Sequence, residues 1–379
     1  MTNKNKIAIL TQALGYNYGG IIQNYALQKV IKSLNYDVIT INRTEDNPHS
    51  ELKILASLCK IIFKRHFFKQ KQLSVIDYAE ISKNTRKFIR RHIKVSTKLR
   101  TSEALKRYFK YHKFDAVIVG SDQVWRPKYS PNIFNFFLDF LPKDTTTKKL
   151  SYAASFGTQI WEFTKEETEK CSKLIQQFDA VSVREKSGVE HCTNFLNRND
   201  AKLVLDPTLL LNAKDYNEII HRDESKTGLF TYILDEDKHK SKFIKNCAER
   251  LDLSIHTNQA KQPIQKLTIE NIGDFILPSI EGWLQGFRDA DFVITDSFHG
   301  TVFSIINQKP FFVLVNTDRG ASRFESLLGE LELLDRLIYD TSKFDFNKLL
   351  VPIDYAIVTH KLNVLKAESL NFLKHNLLC

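Results

Sequence analysis

The chain alternates short apolar runs with longer segments in which apolar residues recur at helical spacing. This alternation is typical of a parallel β-sheet whose strands are joined by helical crossovers, so it predicts an α/β fold. In the first half, strands are predicted for KIAILT, DVITIN, FDAVIVG, KLSYAAS, FDAVSVRE and AKLVLD. In the second half, they are predicted for GLFTYIL, LSIHT, DFILP, DFVITDS and PFFVLV. Helices are predicted for GIIQNYALQKVIKSL, TKEETEKCSKLIQQ, EKSGVEHCTNFLN, KHKSKFIKNCAERL and IEGWLQGFRDA.

The length of 379 residues exceeds what one ordinary hydrophobic core accommodates, so we expect two domains. The boundary is placed within Asp206–Gly228, where the apolar pattern gives way to a charged stretch before a new strand. Residues 1–215 then form the N-terminal domain and residues 216–379 the C-terminal domain. The last predicted helix, residues 354–378, has no strand after it. We expect it to pack back on one of the domains, with the N-terminal domain as a candidate.

Several classes of protein are excluded by what the sequence lacks. No run of about 18 uncharged apolar residues is present, so no transmembrane helix is expected. The first residues lead directly into a strand pattern without the features of a signal peptide. The five cysteines are scattered and have no CxxC spacing, which argues against a structural zinc site and for a reducing compartment. We therefore expect a cytoplasmic protein without a metal.

The positive net charge of +11 comes from one segment. Residues 51–113 contain 18 Lys and Arg against 4 Asp and Glu, whereas the rest of the chain contains 37 against 40. Within residues 51–70, apolar residues at helical spacing alternate with Lys and Arg. This pattern indicates either peripheral contact with an anionic membrane or a solvated helical insertion, about residues 45–113, packed on the N-terminal domain. A nucleic-acid-binding module is disfavoured because no binding motif accompanies the charge, so no nucleic-acid partner is expected.

Polar clusters directly follow several of the predicted strands. Open parallel sheets bind ligands outside the carboxyl ends of their strands, so these clusters form the candidate site. After the first strand, an amphipathic helix begins with Asn17, Tyr18, Gly19 and Gly20. Glycines at that position let backbone amides approach an anion. The alternative is a tight turn that requires positive φ.

Two further clusters offer an acid and an arginine. In GSDQVW, Ser121 and Asp122 follow a strand, and the carboxylate can orient or deprotonate a substrate hydroxyl. The alternative is an N-cap or an Asx turn. In VSVREKSG, Arg184 can hold a carboxylate or phosphate with its planar guanidinium, or it can form a surface ion pair with Glu185. Trp125 is predicted to lie in the core.

The segment TDSFHGTVF combines a helix start with a histidine. It places five candidate residues after a strand: Ser297, Phe298, His299, Gly300 and Thr301. Ser297 can cap the helix, and His299 can supply a proton near neutral pH beside free backbone amides. The alternative is a histidine that is satisfied by Asp296. Farther along, Arg319 and Arg323 are candidates for a second anion contact, or they are solvated side chains at a helix start.

Other enzyme motifs are missing from the sequence. It contains no GxSxG elbow, no HExxH, no kinase set, and no GxGxxG or GK[ST] loop. The histidines and cysteines also lack the spacing of metal ligands.

Taken in chain order, the clusters resemble those of the polysaccharide pyruvyl transferase family. The resemblance covers most of the chain apart from about residues 45–113 and the C-terminal tail. It rests on the segments GYNYGGIIQNYALQ (15–28), FDAVIVGSDQVW (114–125), SYAASFG (151–157), FDAVSVREKSG (178–188), LDPTLLL (205–211), DADFVITDSFHGTVFSIINQKPF (289–311) and RGASRFESLL (319–328).

The resemblance implies a GT-B-like fold, in which two Rossmann-like parallel-sheet domains face a central cleft. It also implies transfer of the enolpyruvyl unit of phosphoenolpyruvate onto a sugar of a cell-surface polysaccharide, such as an exopolysaccharide or capsule, or onto its lipid-linked precursor. The products would be a pyruvate ketal and phosphate, and no cofactor is implied. His299 and Arg184 match the family's donor-site residues, Asp122 matches the acid of the GSD loop, and Phe298 would contact the donor through its backbone. The glycine-rich loop resembles part of the acceptor side.

This chemistry agrees with the residues, because a donor that carries a phosphate and a carboxylate requires arginine, amide donors and a helix N-terminus. Two roles for His299 are open: proton donor to the methylene carbon, or ligand of the leaving phosphate. A rival function is a GT-B glycosyltransferase that uses a nucleotide sugar in the same cleft. The insertion at 45–113 departs from the family's pattern, so acceptor recognition is not carried over, and the sequence indicates no oligomeric state.

Overall fold

The computed structural model describes residues 5–44, 75–220, 226–261, 268, 270–315 and 320–377. The chain forms eleven short strands in these ranges. They are β1 (Lys6–Leu10), β2 (Asp37–Ile41), β3 (Ala116–Val119), β4 (Lys148–Ser151), β5 (Ser182–Val183), β6 (Lys202–Leu203), β7 (Leu229–Tyr232), β8 (Ile255–Thr257), β9 (Phe292–Thr295), β10 (Phe311–Leu314) and β11 (Leu337–Ile338).

The strands form two parallel sheets, one in each half of the chain. The N-terminal sheet has the order β2-β1-β3-β4, and the pair β5-β6 continues it through bridges from β4 and the residues after it. The C-terminal sheet has the order β11-β10-β9-β7-β8. Every residue of β3, β7, β9 and β10 is buried, as expected for parallel strands whose two faces are covered by helices.

Helices connect and cover these strands. Their bounds are α1 (Tyr18–Ser33), α2 (Val75–Ile81), α3 (Lys83–His92), α4 (Ser102–Tyr111), α5 (Lys165–Ile175), α6 (Lys186–Leu196), α7 (Ala213–Asn217), α8 (Lys238–Leu251), α9 (Ile280–Asp289), α10 (Phe298–Ile306), α11 (Ser322–Glu330) and α12 (Tyr355–Leu377). Their starts follow ordinary capping chemistry. For example, the Thr164 hydroxyl accepts from the Glu167 amide, and the Glu167 carboxylate accepts from the Thr164 amide.

Two strand predictions differ from the structure. The run DFILP was predicted as a strand, but Ile272–Phe275 form a 3₁₀ helix. The amide of Leu277 donates to the carbonyl of Ile81, so this segment packs against α2 instead of joining a sheet. Conversely, β11 was not predicted, because a strand of two residues is too short to show a period-2 pattern.

Where the structure describes it, the insertion contains α2, α3 and α4, and its residues 93–101 run beside β2 and the residues after it, with bridges from Val95 to Thr40 and from Leu99 to Arg43. The amphipathic pattern within residues 51–70 lies outside the described residues. No helix of the described ranges is long and apolar enough to cross a membrane.

The C-terminal helix α12 lies against the N-terminal half. The Ser369 hydroxyl accepts from the amide of Leu205, and the Tyr36 hydroxyl donates to the carbonyl of Leu377. Both halves therefore share one continuous apolar cluster, in which Tyr18 of α1 contacts Trp283 of α9. The predicted division between residues 215 and 216 falls between β6 and β7, that is, between the two sheets, and it stays a prediction.

Candidate active site

A cavity of about 530 Å³ lies between the two halves, at the carboxyl ends of strands from both sheets. The N-terminal half contributes the segments after β1 and β3, and the C-terminal half contributes the segments after β7 and β9 and the start of α11. The polar and aromatic lining includes Gln12, Tyr16, Asn17, Asp122, Tyr129, Tyr232, Asp296, Ser297, Phe298, His299 and Arg323. The volume is in the range of small-molecule sites, and the position is the one expected for ligands of open parallel sheets.

Asp206 joins two of the predicted catalytic residues beside this cavity. Its Oδ2 accepts from the Arg184 Nη1 at 2.7 Å and lies 3.6 Å from the His299 Nε2. Its Oδ1 accepts from the amide of Thr208 at 3.0 Å and from the Thr208 hydroxyl at 2.6 Å. The carboxylate is therefore held by Arg184 on one side and by Thr208 on the other, and the imidazole of His299 lies within ion-pair distance of it.

The charges of this cluster shift the pKa values of its members. Burial alone would raise the pKa of Asp206, but the nearby positive charges of His299 and Arg184 and the hydrogen bond from Thr208 outweigh burial and hold it well below its ordinary value. Burial would lower the pKa of Arg184, whereas Asp206 and the other nearby carboxylates raise it above its ordinary value. Both members of the buried pair are therefore ionised at neutral pH.

Arg184 has hydrogen-bonding capacity that the protein does not use. Its side chain is only 1% exposed, and its Nη1 is occupied by Asp206 and by the Gln23 Oε1. Among the described residues, its Nε and Nη2 have no hydrogen-bond partner, and the Nη2 lies 3.9 Å from the Asp122 Oδ1. Buried donors are rarely left unsatisfied because each costs free energy, so these atoms indicate a place for an anionic ligand. The alternative, a surface pair between Arg184 and Glu185, is wrong.

Phe298 lies close to two guanidinium groups. The guanidinium carbon of Arg184 lies 4.8 Å from the centroid of its ring, and that of Arg323 lies 5.8 Å from it. Burial, followed by the nearby charge of Arg184, lowers the pKa of Arg323 to about 10. Two arginines brought this close repel each other, so an anion bound between them would be favoured.

The turn before α10 supplies the histidine through ordinary local chemistry. The Ser297 hydroxyl accepts from the amide of Gly300 at 3.4 Å, and the Thr301 hydroxyl donates to the carbonyl of Ser297. A Cβ at Gly300 would overlap the Thr295 side chain, so this glycine permits close packing of helix on strand. Ser297, Gly300 and Thr301 therefore shape the turn that places His299 in the cavity.

Asp296 has a different partner from the one that the sequence suggested. Its carboxylate accepts from the amides of Leu234 and Asp235 and pairs with the Lys240 Nζ at 2.7 Å. Asp296 thus anchors the segment after β7, while His299 pairs with Asp206. The interpretation in which Asp296 satisfies His299 is wrong.

The two glycines at the start of α1 lie directly against the site. A Cβ at Gly19 would overlap the His299 Nδ1, and a Cβ at Gly20 would lie 3.0 Å from the Asp122 Oδ2. Neither glycine has positive φ, so the tight-turn alternative is wrong. Both are needed because the α1 backbone approaches the imidazole and the carboxylate closely. Asn17 precedes them, and its Nδ2 donates to the Asp122 Oδ2 at 3.2 Å.

The other predicted residues fall in different places. The Tyr18 side chain is buried in the core, and its hydroxyl donates to the carbonyl of Pro278 at 2.6 Å, so the structure does not bring it to the cavity. Trp125 is fully buried, as predicted. Asp122 lines the cavity, and its Oδ1 accepts from the amide of Gln123, the next residue, whereas an Asx turn uses the amide two residues on. The Ser121 hydroxyl is buried and has no partner among the described residues.

Arg319 lies outside the described residues. Asp206 was not predicted as a site residue, although it lies in the segment LDPTLLL on which the family resemblance rests. The sequence pattern that could have indicated Asp206 is an acidic residue between an apolar strand and a proline, just after β6. No group of His, Cys, Asp and Glu is arranged to hold a metal ion within the described ranges. The absence of a metal requirement stays a prediction.

We expect Gly19→Ala to reduce activity far more than stability. The added methyl group would displace His299 from its position beside Asp206, and a misplaced catalytic group costs about 100-fold in rate. The matched control is Gly329→Ala within α11, where a Cβ meets no atom within 4 Å. Steady-state turnover and thermal unfolding of both variants check this. A Gly19→Ala variant with normal turnover would contradict the close approach.

Two parallel-sheet domains that face a cleft define a GT-B-like fold. The chain is similar to Arabidopsis thaliana UGT89C1 complexed with UDP-L-rhamnose, with TM-score 0.53, 10% identity, and 99% of this chain and 100% of that chain covered. It is also similar to a glycosyltransferase from Rickettsia africae ESF-5, with TM-score 0.52, 9% identity and 99% of both chains covered. These similarities confirm the predicted fold class.

The family model of polysaccharide pyruvyl transferase matches residues 17–319, and the chain belongs to this family. The match confirms the resemblance and the prediction of a transferase. No curated protein matches the chain significantly.

Proposed function

We propose that the protein transfers the enolpyruvyl unit of phosphoenolpyruvate to a sugar of a cell-surface polysaccharide or of its lipid-linked precursor. The products are a pyruvate ketal on the sugar and inorganic phosphate. The observation that carries this proposal is Arg184, whose buried Nε and Nη2 have no partner among the described residues and lie beside the Asp206–His299 pair. Family membership supports the transferred group.

The anionic donor is bound by the two arginines. Phosphoenolpyruvate carries a phosphate and a carboxylate, and guanidinium groups bind both with paired hydrogen bonds. Arg184 supplies its Nε and Nη2, and Arg323, whose guanidinium also lies near the Phe298 ring, supplies a second positive charge. The N-terminus of α10, which begins at Phe298, adds backbone amides directed toward an anion.

In the first step, the acceptor hydroxyl adds to the central carbon of the donor. His299 donates a proton to the methylene carbon, which becomes a methyl group, and Asp122 accepts the proton of the attacking hydroxyl. Asp206 stabilises the protonated imidazole, since its Oδ2 lies 3.6 Å from the His299 Nε2. The intermediate carries the methyl group, the carboxylate, the phosphate and the sugar oxygen on one carbon.

In the second step, the bond between that carbon and the phosphate oxygen breaks. The resulting oxocarbenium-like centre is attacked by a second hydroxyl of the same sugar, whose proton leaves with the phosphate. The cyclic ketal forms, and the reaction needs no oxidant or reductant. The guanidinium groups stabilise the negative charge that develops on the departing phosphate.

Thermal-shift measurements test the donor. We expect phosphoenolpyruvate to raise the unfolding temperature, because a ligand that binds only the folded state stabilises it. Nucleotide diphosphates and nucleotide sugars are measured in parallel. Phosphate release from phosphoenolpyruvate is then followed with candidate glycans. Stabilisation by a nucleotide sugar and none by phosphoenolpyruvate would overturn the proposal in favour of a glycosyltransferase.

We also propose peripheral contact with an anionic membrane surface at the cytoplasmic face of the cell membrane, which suits a lipid-linked acceptor. Helix α3 presents Arg86, Lys87, Arg90 and Arg91 to solvent. Arg86 is close enough to affect the ionisation of Tyr16, a residue of the cavity lining, so this basic face lies near the cavity. Each basic side chain near an anionic surface contributes about 1 kcal/mol.

Vesicle co-sedimentation checks the membrane proposal. We expect binding to vesicles that contain anionic phosphatidylglycerol, weakened by salt, and at least about tenfold weaker when the four basic residues of α3 are replaced by glutamine. The matched control replaces the exposed Lys238, Lys242 and Lys245 of α8 by glutamine. Equal binding by both variants, or binding without dependence on anionic lipid, would contradict the proposal.

A further inference from the structure

Two exposed tyrosines lie at the cavity between the halves. Tyr16 is 50% exposed and Tyr129 is 47% exposed, and both contribute to the cavity lining. Tyr129 belongs to the same segment as Asp122, the proposed base, and the two are separated by a short buried stretch that includes Trp125. Pockets for small molecules commonly combine such aromatic rings with a few placed polar groups.

The ring of Tyr129 is supported by a buried arginine. The guanidinium carbon of Arg126 lies 4.8 Å from the ring centroid. Arg126 donates from its Nε and Nη2 to the two oxygens of Glu162, at 2.8 Å each, and from its Nη1 to the Gln123 Oε1 at 3.1 Å. A bidentate pair fixes the guanidinium plane, so one side of the Tyr129 ring has a rigid support.

An amide group next to this ring is also held in place. The Gln12 Nε2 donates to the carbonyl of Gln123 at 3.0 Å and to the Ser130 hydroxyl at 3.2 Å. The amide nitrogen is thereby occupied, and the amide oxygen of Gln12 is the group that can accept from a ligand. Ser130 directly follows Tyr129, and its hydroxyl donates to the carbonyl of Val124, so the whole segment from Asp122 to Ser130 is braced.

We propose that Tyr129 is the platform of an acceptor subsite, on which one pyranose ring of the acceptor glycan stacks while Gln12 accepts from a sugar hydroxyl. This inference rests on the proposed function and names the ring that the acceptor presents. A pyranose has an apolar face of C–H groups and a rim of hydroxyls, which matches an aromatic platform beside amide and carboxylate acceptors. Tyr129 and Asp122 line the same cavity, so a sugar bound on Tyr129 would share that space with the proposed base.

Saturation-transfer NMR with methyl glycosides tests the subsite. The probes are methyl β-glucoside, methyl β-galactoside, methyl α-mannoside and methyl β-N-acetylglucosaminide, each with phosphoenolpyruvate present and absent. We expect saturation of the C–H protons of one face for at least one probe. Tyr129→Ala is expected to raise its Kd about three- to tenfold, and Tyr129→Phe to leave it unchanged.

The matched control is Tyr111→Ala, an exposed tyrosine outside the cavity with the Lys110 Nζ at 5.9 Å from its ring. It is expected to bind the probe as the wild type does. Three results would overturn the subsite. They are no saturation of any probe with the wild type, equal probe affinity in Tyr129→Ala and the wild type, and displacement of the probe by uridine. The last result would assign the platform to a nucleotide base. Thermal shift by phosphoenolpyruvate is measured on the same samples. If phosphoenolpyruvate gives no thermal shift while a sugar probe still binds, the proposed donor is wrong and the subsite stands. If phosphoenolpyruvate gives a thermal shift and no sugar probe binds, only the subsite is wrong.

Discussion

Replacing His299 by alanine is expected to lower the turnover of phosphoenolpyruvate-dependent phosphate release by about 100- to 10,000-fold, the usual contribution of general acid catalysis. The imidazole is buried, and its Nε2 lies 3.6 Å from Asp206 with no hydrogen-bond partner among the described residues. It lies beside Asp206 and near Arg184, the proposed ligand of the donor, where it can deliver a proton. The variant is expected to stay folded, because His299 lines a cavity and does not fill the core.

The same variant distinguishes the two roles of the histidine. If His299 is the proton donor, the alanine variant keeps its thermal shift with phosphoenolpyruvate, because Arg184 and Arg323 still hold the anion. If His299 instead binds the departing phosphate, donor affinity falls together with turnover. The matched control is His256→Ala, a half-buried histidine of β8 that does not line the cavity. Unchanged turnover in His299→Ala would remove its catalytic role.

The fold was largely predictable because its central strands are buried on both faces. Continuous apolar runs such as AVIV of β3 and FVIT of β9 are unambiguous when a short run is followed by a polar turn and a helix. The errors lie at the sheet margins and between the domains. DFILP is apolar because it packs against α2, and an apolar run carries no information about whether its partner is a strand or a helix.

The site was predictable in its parts but not in its contacts. Asp122, Arg184 and His299 each follow a strand, so sequence indicated that they are near a cleft. Pairing across the cleft was not predictable, because Asp206 follows a strand of the N-terminal sheet and His299 follows a strand of the C-terminal sheet. The requirement for glycine at position 19 was also not predictable. A Cβ there would overlap the imidazole of His299, which belongs to the other domain. Local pattern suggested Asp296 as the partner of His299, whereas the tertiary structure uses Asp296 to hold Lys240.

Removing one partner of the Arg184–Asp206 ion pair is expected to reduce stability strongly, and this effect can be measured separately from the loss of activity. Arg184→Met leaves a fully buried carboxylate with its 2.7 Å partner removed, which is expected to cost about 3–5 kcal/mol of unfolding free energy at pH 7. Arg184→Met/Asp206→Asn removes both charges and is expected to recover most of that loss. Neither variant is expected to bind phosphoenolpyruvate. The half-exposed pair of Lys186 with Glu330 is the control, since Lys186→Met is expected to cost less than about 1 kcal/mol.

The pH dependence of stability in the wild type and these two variants follows from the direction in which the pKa of Asp206 is shifted. Its folded pKa lies below the unfolded value of about 4, so its ionic contacts stabilise the wild type above that value and are lost as pH falls below it. In Arg184→Met, the buried carboxylate of Asp206 destabilises the folded state only while it is ionised. The deficit of this variant relative to the wild type is therefore expected to shrink as pH falls from about 6 toward 3, whereas the double variant shows little change. Urea unfolding at several pH values measures this, and a deficit that is constant with pH, or no recovery in the double variant, would show that the loss comes from packing and not from the stranded charge.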